Sequence, residues 1–202
     1  MSSRETILNN VRNNQPGPQP LPAIPASSPF DGKRQKFESI LKSIGGAVIT
    51  VENEGGIDEY LDTRFGAQLR RIRLASDRIP ATEPLTQDPH FLEDVGVAVL
   101  PGQFGVAENG AVWITESGMG DRALPFICEH LVLVLPTSEI VSNMHEAYDR
   151  IGDAKYQLGT FIAGPSKTAD IEQSLVLGAH GPKSLTVVLV GKQQESGTIQ
   201  PL

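Results

Sequence analysis

The segment HLVLVLP (residues 130–136) is the clearest strand in the chain and decides the fold. It is a continuous apolar run rich in branched residues, bounded by Pro136, which is typical of a strand buried on both faces. Other short apolar runs on either side of it also predict strands: AVITV (47–51), RIRLAS (71–76), VGVAVL (95–100), AVWIT (111–115), GTFIAG (159–164) and SLTVVLVG (184–191).

Helical spacing of apolar residues separates many of these strands. It predicts helices over 37–44, 57–65, 138–152 and 170–178 (DIEQSLVLG), with Gly45, Gly46 and Gly152 as stop signals. Strands that alternate with single helices predict an α/β fold, with a mostly parallel sheet flanked by helices on both faces.

The first 32 residues have a different pattern. Ser2 and Glu5 have capping-box spacing, so residues 1–14 are predicted to form a helical arm. Residues 15–32 form a Pro-rich linker, with six prolines in 15–29, and the globular domain occupies 33–202. The arm is either merely tethered or docks on a partner.

Composition excludes several classes of protein. The 202-residue chain has a net charge of −7, which disfavours binding to nucleic acids or anionic membranes. It contains no run of about 20 apolar residues and no signal-peptide core, so membrane insertion is not expected. The single cysteine, Cys128, cannot form an internal disulfide or supply the ligands of an iron–sulfur cluster. A cytoplasmic protein without a cofactor of its own is expected.

The segment GPSKTADIE (164–172) lies where a predicted strand passes into a predicted helix. Backbone amides at a helix N-terminus bind anions, and ligands of open α/β sheets bind beyond the carboxyl ends of strands. The segment is therefore predicted to bind a small carboxylate or a phosphate-bearing ligand through Gly164, Pro165, Ser166, Lys167, Thr168 and Asp170. The alternative is a capped helix start that binds nothing.

The histidines divide into one candidate functional residue and three others. His180 lies between glycines in LGAHGP and is a candidate to contact a carboxylate or to transfer a proton. His130 is expected to be buried and hydrogen-bonded, whereas His90 and His145 are expected at the surface. No pair of histidines has metal-ligand spacing, so no metal site is predicted.

Three segments together resemble the LUD-domain family, which includes the LutC/YkgG-type lactate-utilisation proteins. They are GVAENGAVWITESG (105–118), HLVLVLP (130–136) and YQLGTFIAGPSKTADIEQSLVLGAHGPKSLTVVLV (156–190). The resemblance covers residues 33–202 as one LUD domain. It implies a sheet of the NagB/RpiA/CoA-transferase-like type, shared with 5-formyltetrahydrofolate cyclo-ligase.

The resemblance also implies a function. This would be an accessory, cluster-free subunit beside two iron–sulfur proteins in a system that oxidises L-lactate to pyruvate. Many relatives read E/D-T-G-T where this chain has Glu108-Asn109-Gly110-Ala111, so two threonine hydroxyls are missing here.

Two other functions stay open. Asn109-Gly110 between apolar runs predicts a hairpin turn, and Glu108 either borders that turn or projects into a crevice. CoA transferases of the related fold carry a similar S-E-N-G, whose glutamate attacks an acyl-CoA. The chain would then be a free-standing acyl-CoA transferase, with Glu108 and His180 as catalytic candidates, or an ATP-dependent ligase-like enzyme. The third possibility is an anion-binding module without chemistry.

Overall fold

A computed structural model describes residues 2–17, 19–20, 32–75, 81–82, 88–169 and 175–191 of the chain. Within these ranges no helix is long and apolar enough to cross a bilayer.

The described residues form helices and strands in alternation. The helices are α1 (Ser3–Asn13), α2 (Lys33–Ser43), α3 (Glu54–Phe65), α4 (Glu116–Met119), α5 (Leu124–Ile127) and α6 (Met144–Ile151), with a 3₁₀ turn at Pro89–Leu92. The strands are β1 (Ala47–Val51), β2 (Arg70–Arg73), β3 (Val95–Pro101), β4 (Phe104–Val106), β5 (Ala111–Thr115), β6 (His130–Pro136), β7 (Ile140–Val141), β8 (Gly159–Ile162), β9 (Lys167–Ala169), β10 (Leu175–Leu177) and β11 (Ser184–Val190).

In the part of the chain that the structure describes, the largest sheet has five parallel strands in the order β1-β11-β6-β3-β2. Strand β6, the HLVLVLP segment, lies at its centre and pairs with both β11 and β3. The predicted α/β class with a mostly parallel sheet is confirmed.

The two faces of this sheet are covered differently. Alternate side chains of a strand point to opposite faces. The valines on one face pack against Ile57 and Leu61 of α3: Val97, Val99, Val132, Val134, Val188 and Val190. The other face packs against α2, α4, α5 and a second sheet, through Ala98, Leu100, Leu131, Leu133, Leu135, Val187 and Leu189. Burial on both faces explains why these strands are continuously apolar.

The second sheet has the order β7-β4-β5-β8 among the described strands. Strands β4 and β5 form an antiparallel hairpin, and β8 pairs antiparallel with β5. Gly102 connects β3 to β4, where an added Cβ would lie 2.6 Å from Val112 Cγ1 and 2.7 Å from Leu135 Cδ2. A larger residue at this point, where the chain passes between the two sheets, would displace these two side chains.

Helix α6 covers the outer face of the second sheet. Ala147 and Ile151 of α6 pack against Phe104, Val106 and Trp113. Trp113 is buried on the sheet face, as the sequence predicts.

Two predicted helices are wrong in part. Residues 175–177 form β10, which pairs antiparallel with β9 (167–169), so the helix predicted over 170–178 is not formed there. Residues 170–174 lie outside the described residues. The helix predicted over 138–152 begins only at Met144, because Ile140 and Val141 form β7 beside β4. Tyr148 of α6 is exposed.

Helix α1 has the predicted capping box, with Ser2 Oγ accepting from Glu5 N and Glu5 Oε2 accepting from Ser2 N. It buries none of its residues. Most of the predicted linker, 21–31 and residue 18, lies outside the described residues, so the three-part division of the chain stays a prediction.

Candidate functional site

The two segments that carry the predicted site residues meet in the structure. Ser166 N donates to Pro182 O at 2.9 Å, and Gly178 N donates to Ser166 O at 3.0 Å. These two hydrogen bonds join the turn at 164–166 to the loop at 178–183, and we call this contact region the loop junction.

Glycines permit the close approach of these segments. Gly164 has φ +74°, and an added Cβ would lie 3.0 Å from Ile44 O, just beyond the end of α2. A Cβ on Gly181 would lie 3.0 Å from Ser166 Cβ and 3.2 Å from Ser166 Oγ. The end of α2 therefore packs on the turn at 164–166 from one side, and the His180 loop packs on that turn from the other.

The loop junction lies at the edge of the five-stranded sheet opposite to the one expected. Strand β8, which precedes Gly164, belongs to the second sheet. The loop at 178–183 leads into the start of β11, and residues 44–46 lead into the start of β1. The turn is thus at the amino edge of the parallel strands, whereas ligands of open α/β sheets bind at the carboxyl edge.

The physical basis predicted for anion binding at this turn is wrong. Lys167 and Thr168 lie in β9 rather than at the start of a helix. The Ser166 amide, expected to face a ligand, donates to Pro182 O instead. Residues 164–169, the described part of this segment, therefore supply neither a helix dipole nor free helical amides.

The side chains of the predicted site differ in exposure. Lys167 and His180 are exposed, Ser166 and Thr168 are half-buried, and Gly164 and Pro165 are buried. Asp170 lies outside the described residues. Binding at the loop junction would therefore depend on side chains, chiefly the Lys167 ammonium and the His180 imidazole.

Strands β6 and β11 begin with a polar cluster close to the loop junction. Lys183 Nζ donates to Glu129 Oε2 at 2.6 Å, and this contact holds the pKa of the Glu129 carboxyl below its usual value. His130 Nδ1 lies 2.8 Å from Ser184 Oγ. The His130 ring also packs on the Phe65 ring, with the two ring centroids 4.9 Å apart. Burial lowers the pKa of the His130 imidazole, although the Glu129 carboxylate opposes this effect. The predicted hydrogen bond of His130 is present, but the residue, predicted to be buried, is only half-buried.

Glu108 occupies the shoulder of the β4–β5 hairpin. Gly110 N donates to Val106 O at 2.9 Å, and Asn109 Oδ1 accepts from Ala111 N at 3.0 Å, which closes the predicted turn. Glu108 is exposed, and its Oε2 accepts from Met144 N at 2.8 Å. The carboxylate thus binds the first turn of α6, and its covalent role stays a prediction that this contact does not support.

Cys128 is buried in the main core, as predicted. Burial raises the pKa of its thiol to about 12. The thiolate, which is the nucleophilic and metal-binding form, is therefore scarce at neutral pH.

His90 and His145 are exposed, as predicted. Within the described ranges, no three histidine, cysteine, aspartate or glutamate side chains converge in the manner of a metal site.

Sequence reasoning missed a cavity of about 250 Å³ between the second sheet and the end of α6. Its lining consists of Gln103, Phe104, Trp113, Thr115, Ser117, Arg150, Ile151, Ala154, Lys155 and Tyr156. Gln103 follows the carboxyl end of β3, which is where ligands of α/β sheets bind. The position of Gln103, just beyond a predicted strand, was the one signal in the sequence that could have indicated this cavity. The other residues come together only through the antiparallel hairpin and α6.

The chain was compared with known families and proteins. Residues 91–190 match the family described as the LUD domain. Lactate utilization protein C of Geobacillus kaustophilus is 31% identical over 156 residues, which cover 72% of this chain and 63% of that protein. Lactate utilization protein C 1 of Bacillus mycoides is 27% identical over 113 residues, covering 53% of this chain and 48% of that protein. The chain thus spans about half to two thirds of the length of these relatives.

Among solved structures, a DUF162 family protein from Deinococcus radiodurans has a similar fold, with a TM-score of 0.58 and 22% sequence identity. The similarity covers 79% of this chain and 96% of that one. It shows a shared architecture. The match over residues 91–190 and the relatives named lactate utilization protein C show that the chain belongs to the LUD-domain family.

Proposed function

We propose that this protein takes part in lactate utilisation as an accessory subunit without a cluster, acting beside iron–sulfur proteins. The observation that carries the proposal is the match over residues 91–190, together with the relatives named lactate utilization protein C. The matched region contains β3 to β11, and therefore the second sheet and the loop junction.

The state of the single cysteine supports the accessory role. A subunit that carries electrons through a cluster needs several accessible thiolates. Cys128 is one buried thiol whose pKa is about 12. Electron transfer from lactate would then take place in the partner proteins.

The loop junction is the proposed site for a small anionic ligand, such as a carboxylate. Lys167 and His180 are exposed side chains from two segments that two backbone hydrogen bonds hold together. An ammonium and an imidazole can both donate hydrogen bonds to a carboxylate, with Ser166 Oγ as a third donor.

Growth of a strain that lacks the gene tests this proposal. We expect loss of growth on L-lactate but not on glucose, with growth restored by the intact chain and not by the triple variant Ser166→Ala, Lys167→Ala, His180→Ala. Arg12→Ala is the matched control, because it removes an exposed cation from α1, which buries no residue. The intact chain should also copurify with cysteine-rich iron–sulfur proteins.

Three results would each contradict one part of the proposal. Normal growth of the deletion strain on L-lactate would exclude the role in lactate utilisation. Oxidation of lactate by the purified chain alone would exclude the accessory role. Full restoration of growth by the triple variant would exclude the loop junction as the site, while leaving the pathway assignment in place.

A further inference from the structure

The cavity beside α6 shares no residue with the loop junction. Its lining includes Gln103, which lies just beyond the carboxyl end of β3, at the opposite edge of the five-stranded sheet. Glu139, which follows β6 at the same edge, forms an ion pair with the cavity residue Arg150. One side of the cavity therefore borders the edge at which ligands of α/β sheets usually bind.

One wall of the cavity is a short chain of hydrogen-bonding groups. Gln103 Nε2 donates to Thr115 Oγ1 at 3.0 Å, and Thr115 Oγ1 lies 3.0 Å from Ser117 Oγ. Thr115 is buried, whereas Ser117, the last of these three hydrogen-bonded residues, is exposed. This hydroxyl can turn to a ligand as donor or acceptor.

The charged groups in the lining are both cations, in a protein whose net charge is −7. The Arg150 guanidinium forms an ion pair with Glu139. It also lies over the Phe104 ring, with its Cζ atom 4.8 Å from the ring centroid. Across the residues that the structure describes, the Lys155 ammonium has neither a hydrogen bond nor an ion pair. Lys155 therefore supplies a positive charge that is free to bind an anion.

The remaining wall is aromatic and held in place. The Trp113 ring packs on Gly159, where an added Cβ would lie 2.4 Å from Cζ2 and Cη2. Tyr156 meets Trp113 edge to face, with ring centroids 5.5 Å apart. Such rings favour contact with the ring of another aromatic group. A volume of about 250 Å³ has room for a small aromatic ligand.

We infer that this cavity binds a small aromatic monocarboxylate. The ring of the ligand packs beside Trp113 and Tyr156, its carboxylate pairs with Lys155, and Ser117 bonds a polar substituent. This binding site is separate from the anion site proposed at the loop junction.

Titration of the intact chain tests this assignment. Trp113 is the chain's only tryptophan, so its fluorescence reports on the cavity. With 3-phenyllactate as the probe, we expect a saturable change in this fluorescence. The variant Lys155→Met should bind the probe about tenfold more weakly or worse, and Ser117→Ala several-fold more weakly. Both residues are exposed, so the melting temperature should stay close to that of the parent chain.

One control variant and two control ligands test separately how the binding site, the charge of the ligand and its ring contribute to the affinity. Lys42→Met removes an exposed lysine of α2 outside the cavity lining and should leave the affinity for 3-phenyllactate unchanged. The amide of 3-phenyllactate, which lacks the charge, and L-lactate, which lacks the ring, should each bind more weakly in the cavity.

Three outcomes would overturn the inference. These are no fluorescence change with 3-phenyllactate, equal affinity in the Lys155→Met and Lys42→Met variants, or cavity binding of L-lactate as tight as that of 3-phenyllactate. Anion binding that is lost with Lys167→Ala but kept with Lys155→Met belongs to the loop junction. The growth phenotype on lactate is a separate result, so the proposed function and the cavity site can fail independently.

Discussion

At the scale of single residues, Glu108 shows how a motif residue can have a structural role. Helix α6 has Asn143 as its N-cap, and Asn143 Oδ1 accepts from Glu146 N at 2.9 Å. Glu146 Oε2 in turn accepts from Ser142 N at 2.8 Å. Glu108 reaches across from the hairpin to the Met144 amide, so it satisfies one more of the donors at the helix start. The carboxylate also has the charge that the helix dipole favours there.

Replacing Glu108 therefore should lower stability even without any ligand. We expect Glu108→Ala to reduce the free energy of unfolding by about 0.5–1 kcal/mol, because one donor of the first turn loses its partner. Glu108→Gln should cost less, since an amide oxygen can still accept. Glu59→Ala, at an exposed glutamate of α3, is the control, and chemical denaturation is the measurement. A Glu108→Ala variant as stable as this control would show that the Met144 contact contributes nothing.

At the scale of elements, the turn between β8 and β9 depends on Gly164. Both Gly164 and Gly66 have positive φ, at +74° and +63°. An added Cβ at Gly164 would meet Ile44 O at 3.0 Å, whereas one at Gly66 would meet nothing within 4 Å. A comparison of alanine variants at these two glycines therefore separates the effect of backbone strain from the effect of close packing.

We expect both Gly66→Ala and Gly164→Ala to destabilise the fold, the first by about 1 kcal/mol through backbone strain. Gly164→Ala should lower the melting temperature further, because Ile44 must move as well. Differential scanning calorimetry of the two variants measures this difference. Equal losses would mean that the end of α2 yields to the new methyl group without strain.

The elements also show what the sequence could and could not predict. Apolar runs of β3, β6 and β11 were identified because strands buried on both faces need no alternation. The LVL of β10 is too short for its period to distinguish a strand from a helix, and it forms a strand by antiparallel pairing with β9. Ile140 and Val141 likewise fit a helical face, yet they form a strand that pairs with β4 in the second sheet.

The candidate site was predicted only in part for the same reason. The sequence identified Ser166 and the loop of His180 as separate candidates, and the structure brings them into contact although Lys167 and Thr168 form a strand rather than the predicted helix start. It did not indicate that β8 belongs to the second sheet rather than to the parallel one. Because of this single difference, the turn after β8 lies at the amino edge of the parallel sheet and not at its carboxyl edge. Thr115 and Lys155 lie 40 residues apart in sequence and have no motif that connects them.

At the scale of the whole molecule, α1 lies apart from the hydrophobic core. Its apolar residues Ile7, Leu8 and Val11 are exposed, and none of its residues is buried. A short helix that buries none of its residues contributes little to the stability of a domain.

We therefore expect a variant that lacks residues 1–31 to have the melting temperature of the full chain within about 2 °C. Copurification with the iron–sulfur partners should weaken if the apolar face of α1 contacts them. Thermal denaturation and pull-down from the same cells measure the two effects. A large drop in melting temperature would show that the arm packs on the domain.

The pairing of β1 with β11 has a consequence for how the protein is made. Ala47 lies opposite Thr186, so strands about 140 residues apart in sequence are neighbours. During synthesis, β1 leaves the ribosome long before its partner exists, and its edge stays unpaired until β11 emerges. Contacts of such long range slow folding. The nascent chain is therefore exposed to aggregation through β1 for most of translation, and chaperone binding at that stage is expected to matter more for yield than the stability of the finished domain.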